Sequence, residues 1–313
     1  MSKAEQISRR LKLRHLNILL AVVERGSMAK AAEQLSISQP VISTAIADLE
    51  HVVGVRLLDR GPHGVEPTLY GRALLKRSVA LFNDLRATVS ELEILADPTA
   101  GELRIGSTEP MTAGLLSAVI DRLSRRHPKL KFHVTLAELG ILLDRDLRTH
   151  NIDLMMGRLP SETEDTMSHM LFREGAYVVA GARNALVRRR KVDLEELSSE
   201  PWCLPPPDSF AGSLITKAFR ARGLDFPATS VTAFSVQLQN SLLATGRYLT
   251  ILPGAMLRFS AERLSLKVIP VDLEVERWPV GIVVLRNRTP NPAVQLFVDC
   301  ARKIAGRLAM SDA

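Results

Sequence analysis

The sequence predicts an α/β chain with an N-terminal winged helix-turn-helix and a C-terminal α/β domain of two lobes. Three observations carry that prediction. Two apolar-striped segments, "MAKAAEQL" and "QPVISTAIADLE", are separated only by Ser36, Ile37 and Ser38. A proline-free run from Tyr70 to Leu95 follows, long enough for one continuous helix. From Glu102 onward, short apolar runs alternate with helix-patterned ones, the rhythm of layered strands and helices.

At 313 residues the chain exceeds one ordinary core, so two or three domains are expected. Its 46% hydrophobic and 24% charged residues are those of a globular protein. No run of about 18 uncharged apolar residues occurs, which argues against a membrane-spanning helix. The opening "MSKAEQISRRLKLRHLNILLAVVERG" is basic and then apolar, but His15, Asn17, Glu24 and Arg25 interrupt it and no small-residue cleavage site follows. A cytoplasmic protein is therefore expected. Cys203 and Cys300 sit in no metal or redox spacing and read as packing residues. The net charge is +7, and residues 1–80 hold 12 Lys and Arg against 7 acids, so +5 of it lies in the first quarter. A compact basic module of that kind fits a polyanionic partner.

The first helix is marked by Leu13, Leu16, Leu19, Leu20 and Val23, with Gly26 as its stop. Ser27 reads as the N-cap of the alanine-rich second helix, which ends near Leu35. Ser38 can cap the third, with Gln39 and Pro40 in its first turn, where a missing backbone N–H costs nothing. Val41, Ile42, Ala45, Ile46 and Leu49 form its apolar stripe. Two helices joined by so short a turn make a helix-turn-helix, and the first turn of its second helix is the end that enters a major groove. There Gln39 can offer its amide edge to adenine, Ser43 can reach bases or phosphate, and Pro40 presents an apolar surface to a thymine methyl. Gly54 ends the helix, "VRLLDR" is a short strand, and the turn from Gly61–Pro62 to Gly64 makes a hairpin with Val65–Thr68. This wing would hold Arg60 and His63 near phosphates.

The stretch "GSMAKAAEQLSISQPVISTAIADLEHVVGVRLLDR…PTLYGRALL" resembles the winged helix-turn-helix of LysR-type transcriptional regulators, with the S-Q-P-x-x-S core and L-E-x-x-x-G-x-x-L-x-x-R tail, from about Leu11 to Thr68. The resemblance implies Ser27, Lys30, Gln39, Pro40, Ser43 and Arg60 at or near DNA, and Ser38, Thr44 and His63 join that set by position. Met28 and Leu58 stand where the family often has phenylalanine. Thr44 and Ala45 stand where it often has basic or larger polar residues.

These readings divide the chain into a winged helix-turn-helix (11–68), a linker helix (69–96) and an effector domain (101–311). Along the linker, Leu74, Ser78, Leu81, Leu85, Thr88, Leu92 and Leu95 alternate spacings of four and three, widened by Leu75, Phe82 and Val89. Such a seam packs either on its own effector domain or on another subunit. The resemblance favours pairing, giving a homodimer or homotetramer on a two-fold double-stranded DNA site, with RNA polymerase as a further contact. Asp97–Pro98–Thr99–Ala100–Gly101 then breaks the helix.

In the effector half, "LRIGS", "KFHVTLAEL" and "DLMMGR" read as strands and Leu115–Arg126 as a helix. The polar Leu159–Met167 looks like a crossing into a second lobe built from "AYVVAG", the "CLPPPDSFAG" loop and its helix, "ATSVTAF" with the helix from Ser235, and "YLTILP". A return near Val271–Glu276 leads to "VGIVVL" and the helix Pro292–Leu308. Lobe 1 is thus expected at about 101–166 and 274–311, and lobe 2 at about 167–273. The arrangement resembles the type 2 periplasmic-binding-protein fold that LysR regulators carry, which implies a small-molecule effector between the lobes. Three strand-to-helix turns, Ser107–Thr108, Pro206–Pro207–Ser209 and Phe234–Ser235, would face that cleft, and helix N-termini favour anions. Each serine or threonine taken alone is better explained as an N-cap, and Phe234 alone as a core residue. Glu109 and Asp208 lie beside two of the turns, so carboxylate, sugar, amine and aromatic effectors all stay open. "RRRK" at 188–191 reads as a solvated loop.

Two other classes compete with this reading. A solute-binding protein would need a signal peptide and no basic winged helix. An enzyme would need a nucleophile–base pair or metal set, and no G-x-S-x-G, G-x-G-x-x-G, P-loop, H-E-x-x-H or His/Cys cluster occurs. No cofactor, metal or membrane partner is expected.

Overall fold

The computed structural model describes residues 7, 10–61, 64–96, 100–161, 163–260, 264–286 and 292–309. It divides into two compact units, Met1–Val89 and Ser90–Ala313.

The first unit packs α1 (Leu13–Arg25), α2 (Met28–Leu35) and α3 (Gln39–Val53) around one core, followed by the hairpin β1 (Leu58–Gly61) and β2 (Gly64–Pro67). The helix ends fall at the predicted stops. Gly26 and Gly54 take left-handed φ of 63° and 78°, where a side chain would be strained. Met28 and Leu58 are both buried in the core. Val41 departs from its predicted stripe: Ile42, Ala45, Ile46 and Leu49 are buried, whereas Val41 is 39% exposed. The buried set repeats at i, i+3, i+4 and i+7, and a residue one step earlier is rotated by a quarter-turn off that face.

Several motif residues turn out to brace the wing. The Glu50 carboxylate accepts the backbone N–H of Leu57 at 2.7 Å and of Leu58 at 3.2 Å, tying the end of α3 to β1. Thr68 donates its hydroxyl to Arg56 O and accepts the N–H of Gly71, capping α4 (Leu69–Ala96). At Gly71 a Cβ would lie 2.0 Å from Leu57 O, so α4 can begin against β1 only without a side chain there. The predicted seam on α4 divides. Leu74, Leu75 and Phe82 pack on the winged-helix core and Ser78 is buried, while Leu81, Leu85, Val89 and Leu92 are exposed along one stripe.

In the second unit, one five-stranded sheet runs β4-β3-β5-β12-β6, from β3 (Ala100–Ser107), β4 (Lys129–Leu136), β5 (Leu154–Arg158), β6 (Thr166–Glu174) and β12 (Trp278–Leu285). The other runs β11-β7-β10-β8-β9, from β7 (Ala176–Gly181), β8 (Trp202–Leu204), β9 (Thr229–Thr232), β10 (Leu249–Pro253) and β11 (Leu266–Val268). Helices α5 (Ser117–Arg126) and α9 (Pro292–Ala309) cover the first sheet, whose core centres on Leu103, Ile105, Leu115 and Phe297. Helix α6 (Phe210–Ala221) covers the second, where Trp202 meets Phe219 edge-on at 6.0 Å.

The crossing predicted at Leu159–Met167 lies later. Thr166–Glu174 pairs antiparallel with β12 along its whole length, so lobe 1 extends to Glu174 and the chain crosses at Gly175. That stretch, "TMSHMLFRE", is an edge strand whose burial does not alternate cleanly, which removes the period-2 signal. The return falls at the end of the predicted Val271–Glu276 stretch, a little after the lobe boundary set at 274, since Leu273 and Val275 still pack in the lobe 2 core and β12 begins at Trp278. A short helix that the sequence did not announce, α8 (Gly254–Ser260), lies between the lobes. Its Met256 and Leu257 join a lobe 2 cluster, its Phe259 packs on the lobe 1 core, and Ala255 joins Met111 and Val280.

Gly71→Ala should destabilise the winged-helix unit by about 1–3 kcal/mol through overpacking, read as a lowered denaturation midpoint. An unchanged midpoint would mean that α4 can start elsewhere.

Candidate nucleic-acid interface and ligand cleft

The leading end of α3 is open to solvent. Ser38, Gln39, Pro40, Val41 and Thr44 are exposed and Ser43 is half-buried, whereas Ala45 is buried, so of the pair Thr44–Ala45 only Thr44 can face a ligand. Ser27 and Ser38 stand at the N-cap positions of α2 and α3 in extended backbone, but neither side chain makes a capping hydrogen bond. Lys30 on α2 and Arg60 on the wing are exposed. The structure thus sets Gln39, Pro40 and Thr44 at the tip of one helix with a cation on each of two neighbouring elements. Val41 belongs with them, an apolar group the stripe pattern had assigned to the core. His63 lies outside the described residues.

In the second unit, the parallel strands β3, β4, β8 and β9 end at one crevice between the two sheets, the place where such sheets bind ligands. The cavity there measures about 510 Å³. All three predicted turns reach it, but through one residue each: Thr108, Ser209 and Phe234 line it. Ser107 is fully buried and donates to Met156 O at 2.9 Å. Ser235 caps α7 (Val236–Leu243) by accepting Leu238 N–H, and neither it nor Pro206 or Pro207 lines the cavity. Ser209 is itself engaged, accepting Gly212 N–H at 3.0 Å and donating to Pro206 O at 2.6 Å.

Most of the wall is apolar, with Met111, Leu136, Ile251, Phe210, Phe234 and Trp278 among the lining residues. Of its charged members, the sequence points to Glu109 but not to Arg158, Glu174 or Glu138. Arg158, the last residue of β5, lays its guanidinium over the Phe210 ring at 3.9 Å, and Phe210 meets Trp278 edge-on at 5.8 Å. Burial holds the Arg158 pKa below the usual arginine value. Its Nε is buried without a hydrogen-bond partner. The one available sequence signal was its place at the C-terminal end of a strand.

Residues 13–72 match the profile of bacterial regulatory helix-turn-helix proteins of the lysR family, and residues 96–305 match that of the LysR substrate binding domain. The chain belongs to the LysR family. GbpR, an HTH-type transcriptional regulator of Azospirillum brasilense, is 28% identical over 296 residues, which is 94% of this chain and 86% of that protein. BenM, an HTH-type transcriptional regulator of Acinetobacter baylyi, is 28% identical over 299 residues, 94% of this chain and 96% of its own. The structure of full-length CbnR complexed with its target DNA shares the fold at a TM-score of 0.71 and 20% identity, over 94% of this chain and 99% of that one. As a LysR regulator, the chain is a DNA-binding transcriptional regulator with an effector-binding domain. No helix among the described residues is long and apolar enough to cross a membrane.

In this LysR regulator the cleft is also lined by a buried acid, Glu174, which is only 3% exposed. Its carboxylate accepts the N–H of Gly175 at 2.9 Å and of Ala255 at 3.1 Å. Burial raises its pKa, and the hydrogen bonds from Ala255, Gly175 and Gly254 with the charge of Arg258 oppose the rise. A carboxyl raised in the folded state stabilises below its unfolded pKa, near 4.5, and that contribution is lost as pH rises through the folded value. Glu174→Gln should therefore gain stability relative to the parent as pH climbs from about 4 to 8, read by denaturation at several pH values. A pH-independent difference would show that Glu174 does not titrate in that range.

Proposed function

We propose that this regulator reads a two-fold DNA site through the leading turn of α3 and changes that binding when a small effector occupies the cleft between its lobes. The single observation that carries the reading is the exposed tip of α3, with Gln39, Pro40, Val41 and Thr44 facing solvent, while Lys30 on α2 and Arg60 on the wing are exposed as well. Gln39 presents an amide edge that suits adenine, Val41 and Pro40 suit a thymine methyl, and Thr44 and Ser43 reach bases or phosphate one turn on. Ser27, Ser38, Lys30 and Arg60 hold the backbone, and His63, by its place in the sequence, joins them. Such contacts fix register and salt dependence, not sequence.

The exposed stripe of Leu81, Leu85, Val89 and Leu92 on α4 is the dimer seam, because a contiguous apolar helix face is stabilised by a partner. A homodimer, or a tetramer of two such pairs, then presents two recognition helices to one operator. RNA polymerase is the further protein contact of this reading. The chain works by binding alone, without catalysis or a cofactor, in the cytoplasm where DNA is met. Support comes from the named relatives, which are transcriptional regulators.

In the cleft, Thr108, Ser209 and Phe234 contact the effector, with Ser107, Pro206, Pro207 and Ser235 shaping their turns from behind. The effector shifts regulation only by binding one arrangement of the regulator better than another.

Gln39→Ala should cost about 1–3 kcal/mol on the specific site and little on unrelated DNA, whereas Arg60→Ala should weaken both and flatten the salt slope by about one, measured by fluorescence anisotropy across a salt series. Equal losses on both DNAs for Gln39→Ala would sink the assignment. Leu85→Asp should shift the full chain toward monomer in analytical ultracentrifugation; an unchanged mass would place the oligomer contact elsewhere.

A further inference from the structure

We propose that the effector is an apolar carboxylate whose anionic end binds Arg158 and whose body lies against Phe210 and Trp278. The inference rests on the reading of this cleft as the effector site and names the chemistry that site selects.

The geometry begins with the guanidinium. Phe210 covers one face of it at 3.9 Å, so its donors point outward in the plane of the group. Its Nε is buried and unpartnered, and Arg158 belongs to no ion pair among the described residues. A buried donor left unpaired costs free energy, and a carboxylate presented edge-on would satisfy the fork in two parallel hydrogen bonds.

The remaining wall decides between ligand classes. A cation needs a free buried carboxylate. Glu174 is buried, but its carboxylate already accepts the N–H groups of Gly175 and Ala255, which offset part of its charge. Glu109 is partly exposed and Glu138 exposed, so both sit where water competes. A sugar needs many free polar partners. Ser209 both donates and accepts within its own turn, the Gln239 amide donates to Ala233 O at 3.3 Å, and the Thr108 hydroxyl by itself is fewer partners than a sugar requires. A phosphate would carry a second charge and strong hydration into a mainly apolar wall with one cation. An apolar body with one carboxylate fits the apolar wall and its one lining cation, provided the anionic end sits at Arg158 and away from Glu109 and Glu138, and about 510 Å³ is the size of a small-molecule pocket.

The test titrates the full-length protein with phenylacetate, naphthoate and biphenylcarboxylate, each beside its neutral primary amide, and with benzylamine. Calorimetry and melting temperature give the readouts. At least one carboxylate should bind while its amide binds roughly 10–100-fold more weakly, and Arg158→Met should erase that discrimination. The unliganded Arg158→Met protein should melt no lower than the parent, since the change removes an unsatisfied donor. Arg158→Lys should recover only part of the affinity, because a point charge lacks the fork.

The inference is overturned by amides binding as tightly as carboxylates, by preference for benzylamine, by Arg158→Met leaving affinity intact or lowering the unliganded melting temperature, or by silence from all three carboxylates. A neutral or cationic ligand that fills the cleft and alters DNA binding would remove the Arg158 assignment and leave the effector reading standing. Carboxylate binding through Arg158 with no effect on DNA binding would do the reverse.

Discussion

The carboxylate of Glu174 ends the last strand of lobe 1 and receives the N–H groups of Gly175, at the crossing, and Ala255, at the start of α8. Taking a carboxylate out of water costs several kcal/mol, and two backbone donors, one at the crossing and one at a helix N-terminus, offset much of that. The same two bonds fix where lobe 1 stops and how α8 enters. Because α8 places Met256 and Leu257 in a lobe 2 cluster and Phe259 on the lobe 1 core, it is shared by both lobes. Gly114 completes the seat: a Cβ there would lie 3.2 Å from Ala255 O, so the chain before α5 approaches α8 closely. The cleft walls, Arg158 and Trp278 from lobe 1 and Phe210 and Phe234 from lobe 2, lie on the two lobes that this joint links.

A similar economy governs the winged helix. Of its motif, Glu50, Thr68 and Gly71 face inward and tie α3, β1 and α4 together through backbone groups. Gln39, Pro40 and Thr44 face outward. The two sets interleave in one motif because a helix must be anchored to offer its tip. A side chain that reads a base discriminates only if its backbone is held to within a fraction of an ångström.

The winged helix was legible almost residue by residue, since its ends carry chemical marks: Gly26 and Gly54 at left-handed stops, Ser38 and Pro40 at a helix start. Val41 was misplaced because a stripe written as five residues hides which edge residue falls outside the buried arc. In the effector half the alternation of strands and helices was legible, while β6 and α8 were not. The first is an edge strand without alternation. The second, "GAMLRFS", is short and satisfies its N-terminus with Glu174, some eighty positions earlier, so no local cap announces it. Of the cleft, the three turns could be read from strand ends. Arg158 could not, because its meaning comes from Phe210 on the other lobe, and no local pattern encodes a contact across a crevice.

That crevice also sets what an effector can do. A ligand touching one lobe alone would bind equally well whatever the angle between the sheets, and equal affinity for two states shifts neither. The Arg158–Phe210–Trp278 contact draws its members from both lobes, with Arg158 and Trp278 on lobe 1 and Phe210 on lobe 2. Anything that engages the free edge of the guanidinium while pressing on the two rings interacts with a surface that exists only at one lobe angle. Its affinity must then depend on that angle, and by linkage the angle must depend on its presence. Moving such an equilibrium from mostly one state to mostly the other takes about 5.5 kcal/mol of differential affinity. Surface ion pairs contribute about 0–1 kcal/mol each. A partly desolvated arginine fork beside an aromatic wall contributes more than a surface pair, because charge-assisted bidentate hydrogen bonds are stronger than neutral ones.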